Sequence, residues 1–435
     1  MPHSALDTFW LPFTDNRRFL SHPRVLASAK GMYYQDTEGR SILDGVSGLW
    51  CAQAGHGREE IAQAICRAAG HFGFGLTMRV SNEYGPAATA AIAAHMPAGL
   101  DRILLTNSGS EAIEVALKTA LTYHRARGRR GLAHFIARDR TYHGTTWGAT
   151  SVSGVARIKD GFMENMMPGV KFIRSTKDET QRFVRGQPES HEAYFEELIA
   201  LIEDHGERIA GVILDPVVGS DGLRPPPKGY LERVRQITED YGIVLIFDEV
   251  TTGFGRLGTN TASHRFGITP DMIAFSKGLA NGVVPIGGVA VRREIRDAIF
   301  DAAPAGAAEL EYGHTYSGTP VPCAAALATL DIYRNEGLFA RVAAMEPELE
   351  RRAHALHGLP HVIDIRNIGL IAAIELAPRP GPISRALEVF ERCLDAGVLV
   401  RANGPTVVVA PPFIVTEAQI DEIVGTIGQA LRVVG

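Results

Sequence analysis

From about residue 58 to residue 300 the chain repeats one pattern, a short apolar run followed by a helical stretch. The runs are Arg102 to Thr106, Ala133 to Ala137, Gly211 to Leu214, Ile243 to Phe247, Met272 to Phe275 and Gly288 to Val291. They are apolar at successive rather than alternate positions, so both faces of each strand need cover. Helices between such strands supply it in a parallel or mostly parallel sheet. An α/β fold is therefore expected.

At 435 residues the chain exceeds what one small core needs, and two domains are expected. Residues 31–45 alternate around a Thr-Glu-Gly turn and read as a β-hairpin. After about residue 324 the pattern changes to a long helix (Ala324 to Arg334), a strand pair between Ile363 and Glu375, then helix, strand and helix. This reads as a smaller α+β domain joined by the N-terminal hairpin. The expected division is 1–57 as an N-terminal part of the small domain, 58–323 as the large domain, and 324–435 as the C-terminal small domain.

Several function classes are disfavoured. A net charge of −5, spread along the chain, gives no basic face for nucleic acid, and the run Arg125 to Arg130 is short enough to be a solvated helix end. Cys51, Cys66, Cys323 and Cys393 lie far apart without a CxxC pair, which suits a reducing compartment and no zinc site. The start lacks the layout of a signal peptide and no apolar run has spanning length, so a cytoplasmic protein without a membrane partner is expected. His354 and His357 have no third metal ligand nearby. Gly253, Gly255 and Gly258 spell GxGxxG, but no helix starts within the motif, so a glycine-rich loop is expected. No G-x-S-x-G elbow is present.

Four places carry chemistry. Thr106-Asn107-Ser108-Gly109-Ser110-Glu111 follows a strand and opens a helix with Ile113, Leu117 and Leu121 on one face. Such a helix start offers N–H groups and a positive dipole end to an anion, and Ser108 or Ser110 could equally be a plain cap. Asp248-Glu249 ends a buried strand at the sheet edge where α/β ligands bind, where an Asp could pair with a protonated ring nitrogen. Lys277 ends another; desolvation there would lower its pKa toward a nucleophilic amine, whereas most lysines reach solvent. Tyr142-His143-Gly144 follows a third strand and offers a ring for stacking. Each has an ordinary structural explanation by itself. Together they are an anion cradle, a stacking ring, an Asp for a pyridine nitrogen and a Lys for an aldehyde, which is what pyridoxal 5′-phosphate (PLP) requires.

These residues resemble a known family. The chain is similar to the class III (ω-) aminotransferases of PLP fold type I, most of all the β-alanine–pyruvate transaminases, over nearly its whole length. The resemblance runs through Leu11-Pro12-Phe13-Thr14, Gly48-Leu49-Trp50, Ala54-Gly55-His56-Gly57, Thr106 to Glu111, Tyr142-His143-Gly144 and Pro225 to Tyr230. It continues through Phe247-Asp248-Glu249-Val250, Gly253-Phe254-Gly255-Arg256, Ser276-Lys277-Gly278, His314 to Gly318, Val400-Arg401 and Ala410-Pro411-Pro412. It implies a large domain with a mostly parallel seven-stranded sheet and a smaller α+β domain.

It also implies roles. Lys277 would hold PLP as a Schiff base and shuttle the proton, and Asp248 would keep the pyridine nitrogen protonated. Val250 and Tyr142 would cover the two ring faces with His143 beside them. Ser108, Gly109 and Ser110 would hold the phosphate. Thr315 would reach the phosphate of the neighbouring subunit, implying a homodimer with shared sites, with further pairing into tetramers left open. Arg401 would grip the substrate carboxylate, an interdomain salt bridge being the alternative, and Phe13, Trp50 and Tyr142 would wall the substrate pocket. Asp215-Pro216, Thr251 and Thr319 depart from the family's Glu-Pro, a larger residue and a frequent His.

The expected activity is transfer of an amino group from an ω-amino acid such as β-alanine, or from a primary amine, to pyruvate, giving an aldehyde or ketone and L-alanine. The small-molecule partners are thus an amino donor and a keto-acid acceptor. Another class III outcome (a different donor, an aminomutase, a decarboxylating transaminase) or a PLP-binding protein without turnover are the alternatives.

Overall fold

The computed structural model describes residues 3–435; Met1 and Pro2, which begin the expected N-terminal segment, lie outside the described residues. The N-terminal part forms β1 (Leu26–Lys30), β2 (Tyr33–Asp36) and β3 (Ser41–Asp44), an antiparallel meander. The Asp36 carboxylate accepts the N–H groups of Glu38 and Arg40, each at 2.9 Å, and so closes the turn between β2 and β3.

The alternating region gives β4 (Arg102–Thr106), β5 (His134–Arg138), β6 (Val170–Ile173), β7 (Ile209–Leu214), β8 (Val244–Asp248), β9 (Met272–Phe275) and β10 (Gly287–Val291). They form one seven-stranded sheet in the order β4-β10-β9-β8-β7-β5-β6. β5 to β9 pair in parallel, and β10 runs antiparallel to both β4 and β9. β7, β8 and β9 are buried along their whole length, as strands sandwiched between helices must be. β6 is the one strand of this sheet absent from the sequence reading. It is an edge strand, VKFI, with only Ile173 buried, so it lacks the apolar run that marks the others.

Beyond the helix Pro320–Asn335 come a second long helix, Leu338–His354, and the strands β11 (Val362–Ile368), β12 (Ile371–Leu376), β13 (Val398–Leu399), β14 (Arg401–Asn403) and β15 (Thr406–Val409). The helix Glu417–Val433 closes the chain, started by a capping box between Thr416 and Gln419. β11, β12, β15 and β14 make an antiparallel sheet, whereas β13 pairs in parallel with β3. The stretch 398–403 therefore serves two sheets, one of them begun by the N-terminal meander.

An ionic network fastens the hairpin around Val218 and Arg224 to the C-terminal sheet. Arg366 donates to the carbonyls of Gly222 (2.8 Å) and Leu223 (2.7 Å) and pairs with Asp364 and Glu375. Lys177 meets the same Glu375 at 3.0 Å. These cations and carboxylates neutralise one another where little water reaches, so deleting one partner would strand a buried charge.

All parallel strands point their carboxyl ends to one edge, which therefore receives Ser108, Tyr142, Asp215, Asp248 and Lys277. The register of that edge depends on core residues such as Phe247, which is fully buried beside Asp248. Phe247→Ala should destabilise the protein by about 3–5 kcal/mol, read as a lower thermal unfolding midpoint. An unchanged midpoint would contradict the central placement of β8.

Candidate active site

At the end of β8 the Asp248 carboxylate is almost fully buried. Its Oδ2 meets His143 Nδ1 at 2.7 Å and its Oδ1 accepts the N–H of Val250 at 3.0 Å. His143 is itself buried, with Nε2 at 3.1 Å from the Thr141 hydroxyl and its own N–H donating to Ser153 Oγ at 2.8 Å. The carboxylate is thus fixed in orientation by two elements, the turn after β5 and the turn after β8.

One strand over, Lys277 follows β9 and is half-buried with φ +30°, a backbone conformation rare outside glycine. Burial pushes its ammonium down to about 8, with the Asp248 carboxylate opposing that shift and the Arg401 guanidinium reinforcing it. An ordinary lysine holds its proton to much higher pH, so this amine is a nucleophile near neutrality.

The anion cradle is the start of the helix Gly109–Ala126. Ser108 is its cap, accepting the N–H of Glu111 at 3.2 Å, and Glu111 reaches back to the N–H of Asn107 at 2.7 Å. The Ser108 hydroxyl hydrogen stays free to donate, and the first-turn N–H groups of Gly109 and Ser110 have no intrahelical acceptor. Ser110 Oγ accepts the N–H of Thr145 at 3.1 Å, which draws the turn after Tyr142 onto the cradle.

The close approaches here require glycine. A Cβ on Gly109 would lie 3.0 Å from both methyls of Val250, and one on Gly144 (φ +128°) would lie 2.4 Å from Ser110 Oγ. Val250 therefore packs directly beside the cradle. A helix-start anion site with Val250 packed beside it, a buried carboxylate and a low-pKa lysine together fit a phosphorylated pyridine aldehyde. Ser108, Gly109 and Ser110 would hold its phosphate, Asp248 its ring nitrogen and Lys277 its aldehyde carbon.

Tyr142 is half-buried; desolvation first, and Asp248 second, push its hydroxyl pKa up. Phe13 meets it edge-on, with ring centroids 6.5 Å apart and φ +51° at Phe13. Trp50, also left-handed at φ +66°, is only 5% exposed and packs over Gly219 and into a cluster with Val217 and Leu223. Arg401, on β14, is half-buried, and burial lowers its pKa. Among the described residues its guanidinium has neither a hydrogen bond nor a carboxylate partner, so the interdomain salt bridge weighed from the sequence does not form. Thr315 is exposed and makes no hydrogen bond among the described residues.

One residue of this region, Arg138, was not singled out for it from the sequence. Arg138, fully buried at the end of β5, donates to the Asp215 carbonyl at 2.6 Å and to Asp215 Oδ1 at 3.0 Å. Asp215 is buried next to the Asp248–His143 pair, and burial raises its pKa. The signal for Arg138 was available, a charged residue ending an apolar strand as Lys277 does. Glu249 turns away from the cleft. It caps Ala262 and Ser263 by their N–H groups and is pushed up to about 7 by burial.

Comparison with known proteins agrees with this geometry. Residues 16–431 match the family model for aminotransferase class-III. An ω-aminotransferase of Caulobacter vibrioides is 46% identical over 429 residues, covering 98% of this chain and 97% of that protein. A β-alanine–pyruvate aminotransferase of Pseudomonas aeruginosa is 38% identical over 431 residues, covering 98% and 96%. Among solved structures, a thermostable (S)-enantioselective ω-transaminase from Thermomicrobium roseum superposes with a TM-score of 0.92 at 32% identity, covering 98% of this chain and 97% of that one. The fold is therefore that of the PLP transferases of fold type I, and the protein is a PLP-dependent transaminase. More closely, the chain belongs to the class III aminotransferases, among the ω-aminotransferases. Among the described residues no helix is long and apolar enough to cross a membrane.

The lowered pKa of Lys277 gives a pH signature in the cofactor-free protein. The folded state releases this proton near pH 8 and the unfolded chain near 10.4. Between these values the unfolded state binds more protons, so stability rises with pH there. The burial cost is fully present below about pH 8. Capture of added PLP should accelerate roughly tenfold per pH unit up to about pH 8 and then level off. A capture rate still climbing steeply to pH 10 would contradict a desolvated amine.

Proposed function

We propose that the enzyme takes the amino group of an ω-amino acid, β-alanine first among candidates, or of a primary amine, and delivers it to pyruvate. The donor's amine-bearing carbon is oxidised to a carbonyl, and the carbonyl carbon of pyruvate is reduced to the amine of L-alanine. Bound PLP supplies the electron sink that lets the donor carbon lose its proton.

Each residue has a task in this reading. Lys277 binds the cofactor and, once displaced by the donor, carries a proton at Nζ. Asp248, held by His143 and the Val250 N–H, keeps the ring nitrogen protonated. Tyr142 and Val250 flank the ring, and Phe13 and Trp50 limit the room beyond it.

The observation that carries the substrate assignment is the unpaired guanidinium of Arg401. A half-buried cation without a partner is unfavourable, and a carboxylate arriving from solvent would offset that with two parallel hydrogen bonds. Both β-alanine and pyruvate bring one. The relative from Pseudomonas aeruginosa, a β-alanine–pyruvate aminotransferase, supports the same pair of substrates.

The second copy in the proposed homodimer would cover an apolar strip. Phe74, Leu76, Met78 and Val80, in one irregular loop, are each half or more exposed, and the Phe74 ring meets the exposed Tyr316 at 6.2 Å. Thr315 lies on the same surface, where it would reach the partner's cradle.

Two tests follow. β-Alanine added without an acceptor should collapse the visible band of the lysine-bound cofactor. Arg401→Ala should raise KM for β-alanine and pyruvate by about 10- to 100-fold while sparing an amine without a carboxylate. A band unmoved by β-alanine but bleached by other amines would overturn the donor assignment. Sedimentation should give a dimer, and Met78→Glu should shift it to monomer with loss of activity; a fully active monomer would refute the shared site.

A further inference from the structure

Lys277 stands on an improbable turn. Ser276 before it has φ −166° and ψ −127°, Lys277 has φ +30°, and a single 3-10 turn ends at Asn281 with φ +51°. Two non-glycine residues with left-handed φ in one short turn, Lys277 and Asn281, persist only where the surroundings over-determine them. Here the surroundings come from two remote parts of the chain.

Tyr333, on the helix Pro320–Asn335, donates its hydroxyl hydrogen to the carbonyl of Gly278 at 2.6 Å. Gln53 lies so close to Gly278 that a Cβ there would fall 2.2 Å from Gln53 Oε1, and the same amide touches Tyr333 Oη at 3.2 Å. Asn281 accepts the N–H of Ala54 at 2.8 Å and donates to the carbonyl of Gly55 at 2.7 Å. Gln53, Gly278, Asn281 and Tyr333 are all buried.

Tyr333 has one hydroxyl hydrogen, and the shorter contact, to Gly278, takes it. The contact to Gln53 is satisfied when the amide presents an N–H, and Gln53 Nε2 is buried without another partner. Burial also pushes the Tyr333 hydroxyl far above its ordinary pKa, so it stays a donor at every working pH.

We propose that Tyr333, oriented by Gln53, and Asn281 are positioning residues for Lys277. They hold the left-handed turn that aims its amine, and so govern the proton-transfer step rather than substrate affinity. The Lys277 side chain has four rotatable bonds and makes no side-chain hydrogen bond among the described residues, so its backbone sets its aim. An error of about 1 Å at the amine costs on the order of 100-fold in rate. The inference rests on Lys277 being the cofactor lysine.

The test uses holoenzyme and the amino donor that the wild type turns over fastest, with Tyr333→Phe, Asn281→Gly and Lys277→Ala. Tyr333→Phe keeps the ring packed against Phe339 and Phe413, and Asn281→Gly keeps the positive φ while removing the clasp. Each should lower kcat by about tenfold with KM for both substrates within about twofold. Each should also move the pH midpoint of the visible band, at full PLP occupancy. Unchanged kcat and midpoint in both variants, or a raised KM with kcat intact, would overturn the proposal. Should Tyr333→Phe fold poorly, Asn281→Gly alone decides by the same criteria. Turnover surviving in Lys277→Ala would instead overturn the underlying assignment of Lys277.

Discussion

An amine and a carboxylate, both largely withdrawn from water at adjacent strand ends, set the conditions that the remaining architecture must meet. Lys277 and Asp248 each lose hydration on folding, and neither makes a direct ion pair with the other to offset it. Asp248 instead spends its oxygens on His143 and on the Val250 N–H. Lys277 responds by holding its proton less tightly, down to about 8. Buried charge of this kind destabilises a fold, and its presence marks a place where chemistry outweighs stability.

The fold meets that cost with rigidity. Parallel strands deliver Asp215, Asp248 and Lys277 to one edge, and antiparallel β10 closes the sheet between β4 and β9. Arg138 then neutralises the region around Asp215 from below. The N-terminal segment contributes Gln53, Ala54 and Gly55 to the turn that carries Lys277, and the helix Pro320–Asn335 contributes Tyr333. Arg256, buried and lowered to about 10 by desolvation, donates to Ser47 Oγ and to the Pro411 carbonyl, tying the loop after Val250 to the N- and C-terminal parts. The site is assembled from the whole length of the chain.

The sequence made the central strands readable because they are apolar on both faces and end in a polar or charged residue. Their ends were offset by a residue or two, as at β5 and β8. β6 escaped because an edge strand needs no apolar run, and the reversal of β10 escaped because Gly-Gly-Val-Ala-Val reads the same in either direction. Of the site, Lys277, Asp248 and the helix start at Gly109 announce themselves locally. Gln53, Tyr333 and Asn281 do not, because they act through backbone carbonyls and N–H groups of residues up to hundreds of positions away. Trp50 packs against Gly219, a contact that no local pattern encodes.

The most direct measurement is borohydride reduction of the PLP-loaded protein, followed by proteolysis and peptide mass analysis. The assignment proposed for Lys277 predicts that the reduced cofactor is attached to the peptide containing Lys277 and to no other lysine. Attachment elsewhere, or none after full reconstitution, would contradict the assignment on which the active site is built.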